Sequence, residues 1–583
     1  MQEAAKQASA MAAEFPSSAI LFNILGAAHM GLGNKDRAIE NFKKALYLKP
    51  GYAEAHNSLG IALQAQGLLD EAIASYDKAL QIKPELAEAH NNRGAALKDQ
   101  GRLEEATHGF GRALQISPRF AEAYNNLGAA LKQQGRVDEA IANFSRALQI
   151  NPRFIETHIG LGIASQDKGL MDEAIASFGN ALKIKPDNAE AHSHLCGLYE
   201  KRNSLREFEK AVEMATLQCG EDNPEILFRR AQLASRKDQH EAALGFLNRV
   251  EVEKVQPAIR ASCFSLIGKS CDKLGLSDEA ISAFRKQNEL ALASAGTKNV
   301  SADRYLISIQ ERKDSWASAL KPNWQHSLAE SRRASPTFLI GFPRSGTTLL
   351  DTILRSHPAI SVVEEKPMVG AMIKALNREQ TAANLDALSK SDVLGLQNLY
   401  FEELKVHLNQ SGIGKLVVDK FPLNITHVGI IHRVFPDAKF ILVLRHPCDC
   451  VLSCFMQTFN LNDAMANFLS LEQSARLYGA VMELWSAYRQ KLDIDVHVVK
   501  YEDLILDFEG TCNGLLRFLG LAWDDNLRNY QKTALDRGSI HTPSYSQVVQ
   551  PLYTQASGRW TNYRKQMEPV LPVLEPWITS FGY

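Results

Sequence analysis

Apolar and small residues recur along the first third of the chain with a step of 34 residues. Ala38, Ala72, Ala106, Ala140 and Ala174 keep that step. So do Gly26, Gly60, Gly94, Gly128 and Gly162, and Pro50, Pro84, Pro118, Pro152 and Pro186. One unit reads Ala55-His56-Asn57-Ser58-Leu59-Gly60, then Gly67-Leu68-Leu69-Asp70-Glu71-Ala72, then Ala79-Leu80 and Lys83-Pro84. The pattern predicts two amphipathic helices per unit. Glycine and alanine fall where the helices touch, and proline ends the second helix. Residues 1–15 read as a second helix without its first. The array is therefore expected either to begin further upstream or to be capped there.

After Leu195 the repeat fades, but helical spacing continues through Glu225-Ile226-Leu227-Phe228, Glu241-Ala242-Ala243-Leu244 and Asp278-Glu279-Ala280-Ile281. Gly275-Leu276-Ser277-Asp278-Glu279-Ala280 looks like the start of another repeat second half. Residues 201–335 are expected to be degenerate repeats stacking toward a junction. Polar residues 321–335, with Pro322, Ser331 and Ser335, form the boundary. From residue 336 the period changes. Apolar runs at 338–340, 416–418, 440–444 and 496–499 alternate with helical stretches. That predicts a parallel α/β sheet with helices on both faces. The expected architecture is an α-solenoid over 1–200, a helical junction over 201–335 and an α/β domain over 336–583.

Composition narrows the class. The 583 residues are 45% hydrophobic and 22% charged, with net charge −1. This fits a globular protein and gives no sign of a nucleic-acid binder. No apolar run is long enough to span a bilayer, and the start of the sequence shows no signal core. The eight cysteines are scattered, which favours free thiols in a reducing compartment.

The candidate chemistry lies where the apolar runs end, because ligands of parallel sheets bind outside the carboxyl ends of the strands. After the first run comes Gly341-Phe342-Pro343-Arg344-Ser345-Gly346-Thr347-Thr348, with a helix continuing through Leu349, Leu350, Ile353 and Leu354. A strand, a glycine loop and a helix N-terminus make an anion cradle. Arg344, Ser345, Thr347 and Thr348 add side-chain donors. A nucleoside-triphosphate loop wants lysine directly after its last glycine. Here Thr347 follows Gly346, so the anion is expected to be met by arginine and backbone, without a metal. Asp419-Lys420-Phe421-Pro422 follows the second run. Arg445-His446-Pro447 follows the third and opens a helix bearing Ser453. Tyr501-Glu502-Asp503-Leu504 follows the fourth. Arg445 can grip an anion as a fork, and Pro447 suits a helix N-terminus. Two anion sites with an aromatic residue nearby suit a nucleotide phosphorylated at both ends. His446, Cys448, Cys450 and Cys454 are a tempting metal cluster, but packing of small side chains is the expected reading.

The repeat period and motif resemble the tetratricopeptide repeat. Asn23, Asn57, Asn91 and Asn125 share the 34-residue step. An amide both donates to and accepts from a peptide backbone, so such a ladder could grip an extended chain without reading its side chains. Similar ladders line the repeat groove of the protein N-acetylglucosamine transferases, which hold polypeptide substrates there. Ile159 and Ser193 end the ladder, which confines any grip to the first four units. The alternative is that asparagine is simply common at this exposed repeat position.

The Arg344 loop, and Arg445-His446-Pro447 with Ser453 eight residues on, resemble the sulfotransferase family over roughly residues 336–565. The donor of that family is 3′-phosphoadenosine 5′-phosphosulfate (PAPS). The resemblance implies that Arg344, Ser345, Gly346, Thr347 and Thr348 hold the 5′-phosphosulfate, and that Arg445 and Ser453 hold the 3′-phosphate. His357-Pro358 and Glu364-Glu365 resemble the tyrosylprotein sulfotransferase branch and imply Glu365 as the catalytic base. Lys420 matches the family lysine near the transferring group. Tyr501 matches an adenosine contact. Ser544, Gln547-Val548, Pro551 and Arg559-Trp560 resemble the late donor segment, with Arg559 where the family has lysine. Arg344, Lys420 and Ser544 are the candidates to stabilise the leaving phosphate. His541 could approach the acceptor from that segment, although a solvated loop histidine is the simpler reading. The implied function is sulfuryl transfer to a hydroxyl, expected to be a tyrosine of a polypeptide presented by the repeats. The alternatives are a glycan, lipid or small-molecule acceptor with the repeats as scaffold, or an adaptor with a dead nucleotide fold. Animal members of that branch are anchored, disulfide-bearing secretory proteins. Neither feature is evident here, and a cytoplasmic setting is expected.

Overall fold

The computed structural model describes residues 2–293, 299–322, 324, 334–408, 415–536 and 557–583. It divides into two compact units, Met1–Arg229 and Arg230–Tyr583.

The first unit is a helical array. A lone helix, Gln2–Glu14, precedes six antiparallel pairs running from Ala19–Gly31 with Lys35–Leu48 to Ala189–Lys201 with Leu205–Cys219. Each of the first five pairs closes on one glycine. A Cβ on Gly26, Gly60, Gly94, Gly128 or Gly162 would lie 2.5–2.9 Å from the ring of Phe42, Tyr76, Phe110, Phe144 or Phe178. Only a bare backbone lets these rings seat against the first helix. Ala38, Ala72, Ala106, Ala140 and Ala174 are fully buried beside them. His56, His90, His158 and His192 each hydrogen-bond through Nε2 to the carbonyl of the proline six residues earlier, at 2.8–3.0 Å. That satisfies an orphan acceptor at the turn between repeats.

The second unit is built on five parallel strands: β1 (Thr337–Gly341), β2 (Ile360–Glu364), β3 (Leu416–Lys420), β4 (Lys439–Leu444) and β5 (Asp495–Lys500), in the order β2-β3-β1-β4-β5. Alternation along the strands feeds two cores. Phe338, Ile340, Phe440, Leu442 and Leu444 enter the larger one. Leu339, Val418, Ile441, Val443 and Val499 enter the other.

The helices before β1 group with the sheet, and the two compact units meet at 229/230. Pro257–Lys273 and Ser277–Leu292 form another repeat-like pair, with Gly268 closing on Phe284 as the array glycines do. Trp316, on Ala302–Ser318, is fully buried in the larger core and packs edge-on against Tyr488. Arg312 donates to Thr426 O at 2.9 Å, and buried Asn288 donates to Phe455 O and Leu469 O at 3.1 and 3.2 Å. These bonds satisfy carbonyls at the ends of short helices around the sheet, where water does not reach.

Candidate active site

The strand register sets the site. Leu339 and Glu364 both pair with Lys420, Gly341 pairs with Val443, and Leu444 pairs with Lys500. The segments that leave all five strands therefore emerge at one carboxyl edge, the ligand edge of a parallel sheet.

The Arg344 loop carries backbone strain at two points. Gly346 has φ +106, and a Cβ there would lie 2.6 Å from Cδ2 of Tyr501. Arg344 has φ +69, a left-handed conformation unusual for a side-chain-bearing residue. The helix Thr347–Arg355 starts at Gly346 with no side-chain cap, leaving its first amides to a ligand or solvent. Ser345 is buried, and its hydroxyl has no hydrogen-bond partner. It faces the cradle floor, since a Cβ on Gly341 would lie 2.8 Å from it. A buried hydroxyl left unsatisfied beside uncapped amides is what an anion-binding loop looks like when described without its anion.

The second expected anion site is continuous with the first. Arg344 Nε donates to Ser453 Oγ at 3.1 Å, and Arg445 Nη1 donates to Arg344 O at 3.2 Å. The Arg445 guanidinium lies over the Tyr501 ring, 5.0 Å from its centroid. Arg344, Arg445, Ser453 and Tyr501 are thus one cluster in which a cation–π contact orders the donor arginine.

At the ends of β2 and β3, Lys420 is fully buried. Its ammonium donates to Glu365 Oε1 at 2.6 Å and to Glu364 Oε1 at 3.2 Å. Glu365 sits one residue beyond β2 with φ +50, and its N–H donates to Lys420 O at 2.8 Å. β2 was not among the expected strands. Ser361 and Glu364 break its apolar run, yet it carries the carboxylate pair.

Arg559 is not in this cluster. Its guanidinium is paired with Asp272, Nε–Oδ1 at 3.0 Å and Nη2–Oδ2 at 2.7 Å, and Tyr563 donates to the same carboxylate at 2.7 Å. Arg559, expected at the donor, is clamped here to the helix Pro257–Lys273. Trp560, its neighbour, does reach the site, stacking on His446 at 5.0 Å. Asp449, which the sequence reading passed over, accepts from Gly558 N and Trp560 N at 2.8 and 2.9 Å. Glu502 accepts from His446 N at 3.0 Å and from Tyr583 OH at 2.9 Å. Ser544, Gln547, Val548, Pro551 and His541 lie outside the described residues. The cysteines beside Arg445 make a packing surface. Cys450 Sγ faces Arg445 O, Cys454 Sγ faces Pro343 O, and burial pushes the Cys448 thiol up to about 12. Among the described residues no group of three or more His, Cys, Asp or Glu side chains is arranged to hold a metal.

In the array, the asparagine ladder is partly occupied by its own neighbours. Asn57 Oδ1 accepts from Asn92, Asn91 Oδ1 from Asn126, and Asn125 Oδ1 from Thr157, at 3.0–3.1 Å. Asn23 Oδ1 is buried without a partner.

Comparison with known proteins agrees with this architecture. Residues 336–525 match the sulfotransferase family, and residues 26–67, 65–101, 96–135, 121–154 and 155–188 match tetratricopeptide repeats. An uncharacterized protein of Aquifex aeolicus (strain VF5) is 25% identical over 388 residues, covering 64% of this chain and 49% of that one. Protein-tyrosine sulfotransferase 1 of Danio rerio is 25% identical over 260 residues, 42% of this chain and 71% of that one. Protein-tyrosine sulfotransferase 2 of Gallus gallus is 26% identical over 240 residues, 39% of this chain and 63% of that one. The chain thus spans about half the length of the Aquifex relative and under two thirds of the chicken enzyme. Among solved structures, MamA is 31% identical with a TM-score of 0.26, covering 28% of this chain and 97% of that one. The chain carries tetratricopeptide repeats followed by a sulfotransferase domain of parallel α/β fold.

Proposed function

We propose that the chain transfers a sulfuryl group from PAPS to a hydroxyl of a polypeptide, a tyrosine side chain, held by the repeat array. The observation that carries the reading is the buried Lys420 bridging Glu364 and Glu365, on the same sheet edge as the Arg344–Ser453–Arg445 cluster. The similarity to the protein-tyrosine sulfotransferases of fish and chicken supports a tyrosine acceptor. The loop fits an anionic donor, because Ser345 Oγ is buried without a partner and the helix that follows has no side-chain cap. Ser345, the amides of Gly346, Thr347 and Thr348, and Arg344 would hold the 5′ end. Arg445 and Ser453 would hold the 3′-phosphate, with Tyr501 against the nucleoside. When bound, the donor supplies the sulfuryl group, whose bond to the 5′-phosphate oxygen breaks as its bond to the acceptor oxygen forms, leaving adenosine 3′,5′-bisphosphate. Glu365 takes the acceptor proton. Arg344 and Lys420 meet the negative charge that gathers on the leaving phosphate. All eight cysteines are free thiols, which supports a reducing, cytoplasmic setting.

Two variants probe the donor and acceptor halves separately. Gly346→Ala places a Cβ against Tyr501 at a φ that only glycine adopts readily. Isothermal calorimetry should show adenosine 3′,5′-bisphosphate binding about 5–150-fold more weakly, from roughly 1–3 kcal/mol of strain. The triple variant Asn57→Ala, Asn91→Ala, Asn125→Ala should raise KM for peptide acceptors by about tenfold or more, at about 1 kcal/mol per lost hydrogen bond, with unchanged nucleotide binding.

A second reading gives the enzyme a glycan or small-molecule acceptor, with the array as scaffold. It is favoured by the internal hydrogen bonds that already occupy the carbonyls of Asn57, Asn91 and Asn125. Incubation with 35S-labelled PAPS and a mixed pool of peptides and glycans decides between them. Label confined to non-peptide material excludes the polypeptide acceptor.

A further inference from the structure

Lys420 is held by two consecutive residues, which an ordinary strand does not allow. Successive side chains of a strand point to opposite faces. Glu364, the last residue of β2, faces Lys420 across the register. Glu365 should point away from it. Instead Glu365 takes φ +50, the chain turns, and both carboxylates reach one ammonium, at 3.2 and 2.6 Å. A left-handed glutamate is a strained conformation. It is retained where the surrounding structure fixes it, here by the bond from its N–H to Lys420 O.

The two carboxylates are not equivalent. The Glu364 side chain is 9% exposed and fixed by the strand, whereas that of Glu365 is 42% exposed and stands beyond it. Lys420 itself is 1% exposed. A buried ammonium stays charged only while a carboxylate neutralises it. Once Glu365 takes the acceptor's proton, its charge is gone and it no longer neutralises Lys420. Were it the sole counter-ion, that step would strand a buried cation.

On the reading of the site given above, we propose that Glu364 is a positioning residue for sulfuryl transfer. It stays paired with Lys420 at the carboxyl edge of the sheet and so releases Glu365 to take the acceptor's proton. Glu364 acts through Lys420.

The test is a double-mutant cycle in the full chain, read by single-turnover transfer of 35S from PAPS. Glu364→Gln keeps the shape and removes the charge. It should lower the transfer rate by about 10–100-fold, with little change in acceptor KM or in calorimetric binding of adenosine 3′,5′-bisphosphate. Glu364→Asp should recover part of the rate. In a Lys420→Met background, Glu364→Gln should cost nothing further, because the residue it acts through is gone. A wild-type rate in Glu364→Gln, or a loss that multiplies with that of Lys420→Met, overturns the proposal. If Glu364→Gln alone does not fold, Glu364→Asp and the double variant, which removes the buried cation together with its partner, carry the comparison. A wild-type chain that transfers no sulfuryl group sinks the reading of the site and this inference with it. Transfer by the wild type at a rate that Glu364→Gln matches sinks the inference alone.

Discussion

Glu365→Gln is expected to lower transfer by about 10²–10⁴-fold, the usual contribution of a positioned general base. Three features of the residue lead to that expectation. It is the exposed member of the carboxylate pair, so an acceptor can reach it. Its backbone is held left-handed and tied to the end of β3. Its partner is the buried lysine at the sheet edge where the donor loop emerges. Glutamine preserves size and still accepts a hydrogen bond from Lys420, but it cannot take a proton. Binding of adenosine 3′,5′-bisphosphate, followed by calorimetry, should stay within about a factor of two, since the residues proposed to hold it are separate. Retained transfer would remove Glu365 as the base. Lost transfer together with lost nucleotide binding would mean that the charge of Glu365 organises the donor site.

The parts of this site legible in the sequence are those encoded locally. The 34-residue step was legible because each glycine meets an aromatic residue 16 positions on, within one helical pair. β1 and β4 were legible because strands buried on both faces are continuous apolar runs, and β3 and β5 because their valines keep a short apolar run even where the strand is only partly covered. The Arg344 loop and the Arg445 turn declared themselves as polar residues placed where such runs stop. What escaped depends on contacts across long stretches of chain. Arg559 lies 287 residues from Asp272, and Asn288 lies 167 from Phe455. Neither pairing leaves a periodic trace, so neither the packing of the helices before β1 nor the partner of Arg559 could be read from local pattern. The contact between Arg344 and Ser453, which joins the two expected anion sites, was hidden for the same reason. β2, with Ser361 and Glu364 interrupting its apolar residues, was too polar to stand out, although the Glu364-Glu365 pair it delivers was visible as a motif.

The titration of Asp419 is expected to make the stability of the catalytic unit fall as pH rises from about 4 to about 7. Asp419 precedes Lys420 on β3, and alternation turns its side chain away from the ammonium. It is fully buried, Tyr400 OH donates to its Oδ2 at 2.9 Å, and its Oδ1 has no partner. Burial raises its pKa from 3.8 to about 7, only partly offset by the tyrosine. Between those values the folded chain holds a proton that the unfolded chain has released, so each pH unit upward lowers stability. Over the whole window the loss is about 4 kcal/mol, at 1.36 kcal/mol per unit. Asp419→Asn removes the titrating group while keeping an acceptor for Tyr400. Its buried amide costs about 1–3 kcal/mol where Oδ1 had no partner, so at pH 5 the variant should be no more stable than the wild type. At pH 8 the balance should have moved in its favour by about 3 kcal/mol, because the wild type has by then ionised a buried carboxyl. Urea denaturation of both proteins at the two pH values, following the transition of the catalytic unit, measures that difference directly. A variant whose stability relative to the wild type is the same at pH 5 and pH 8 would show that Asp419 is already ionised throughout. The strand end that aims Lys420 would then carry a buried negative charge on its opposite face rather than a neutral acid.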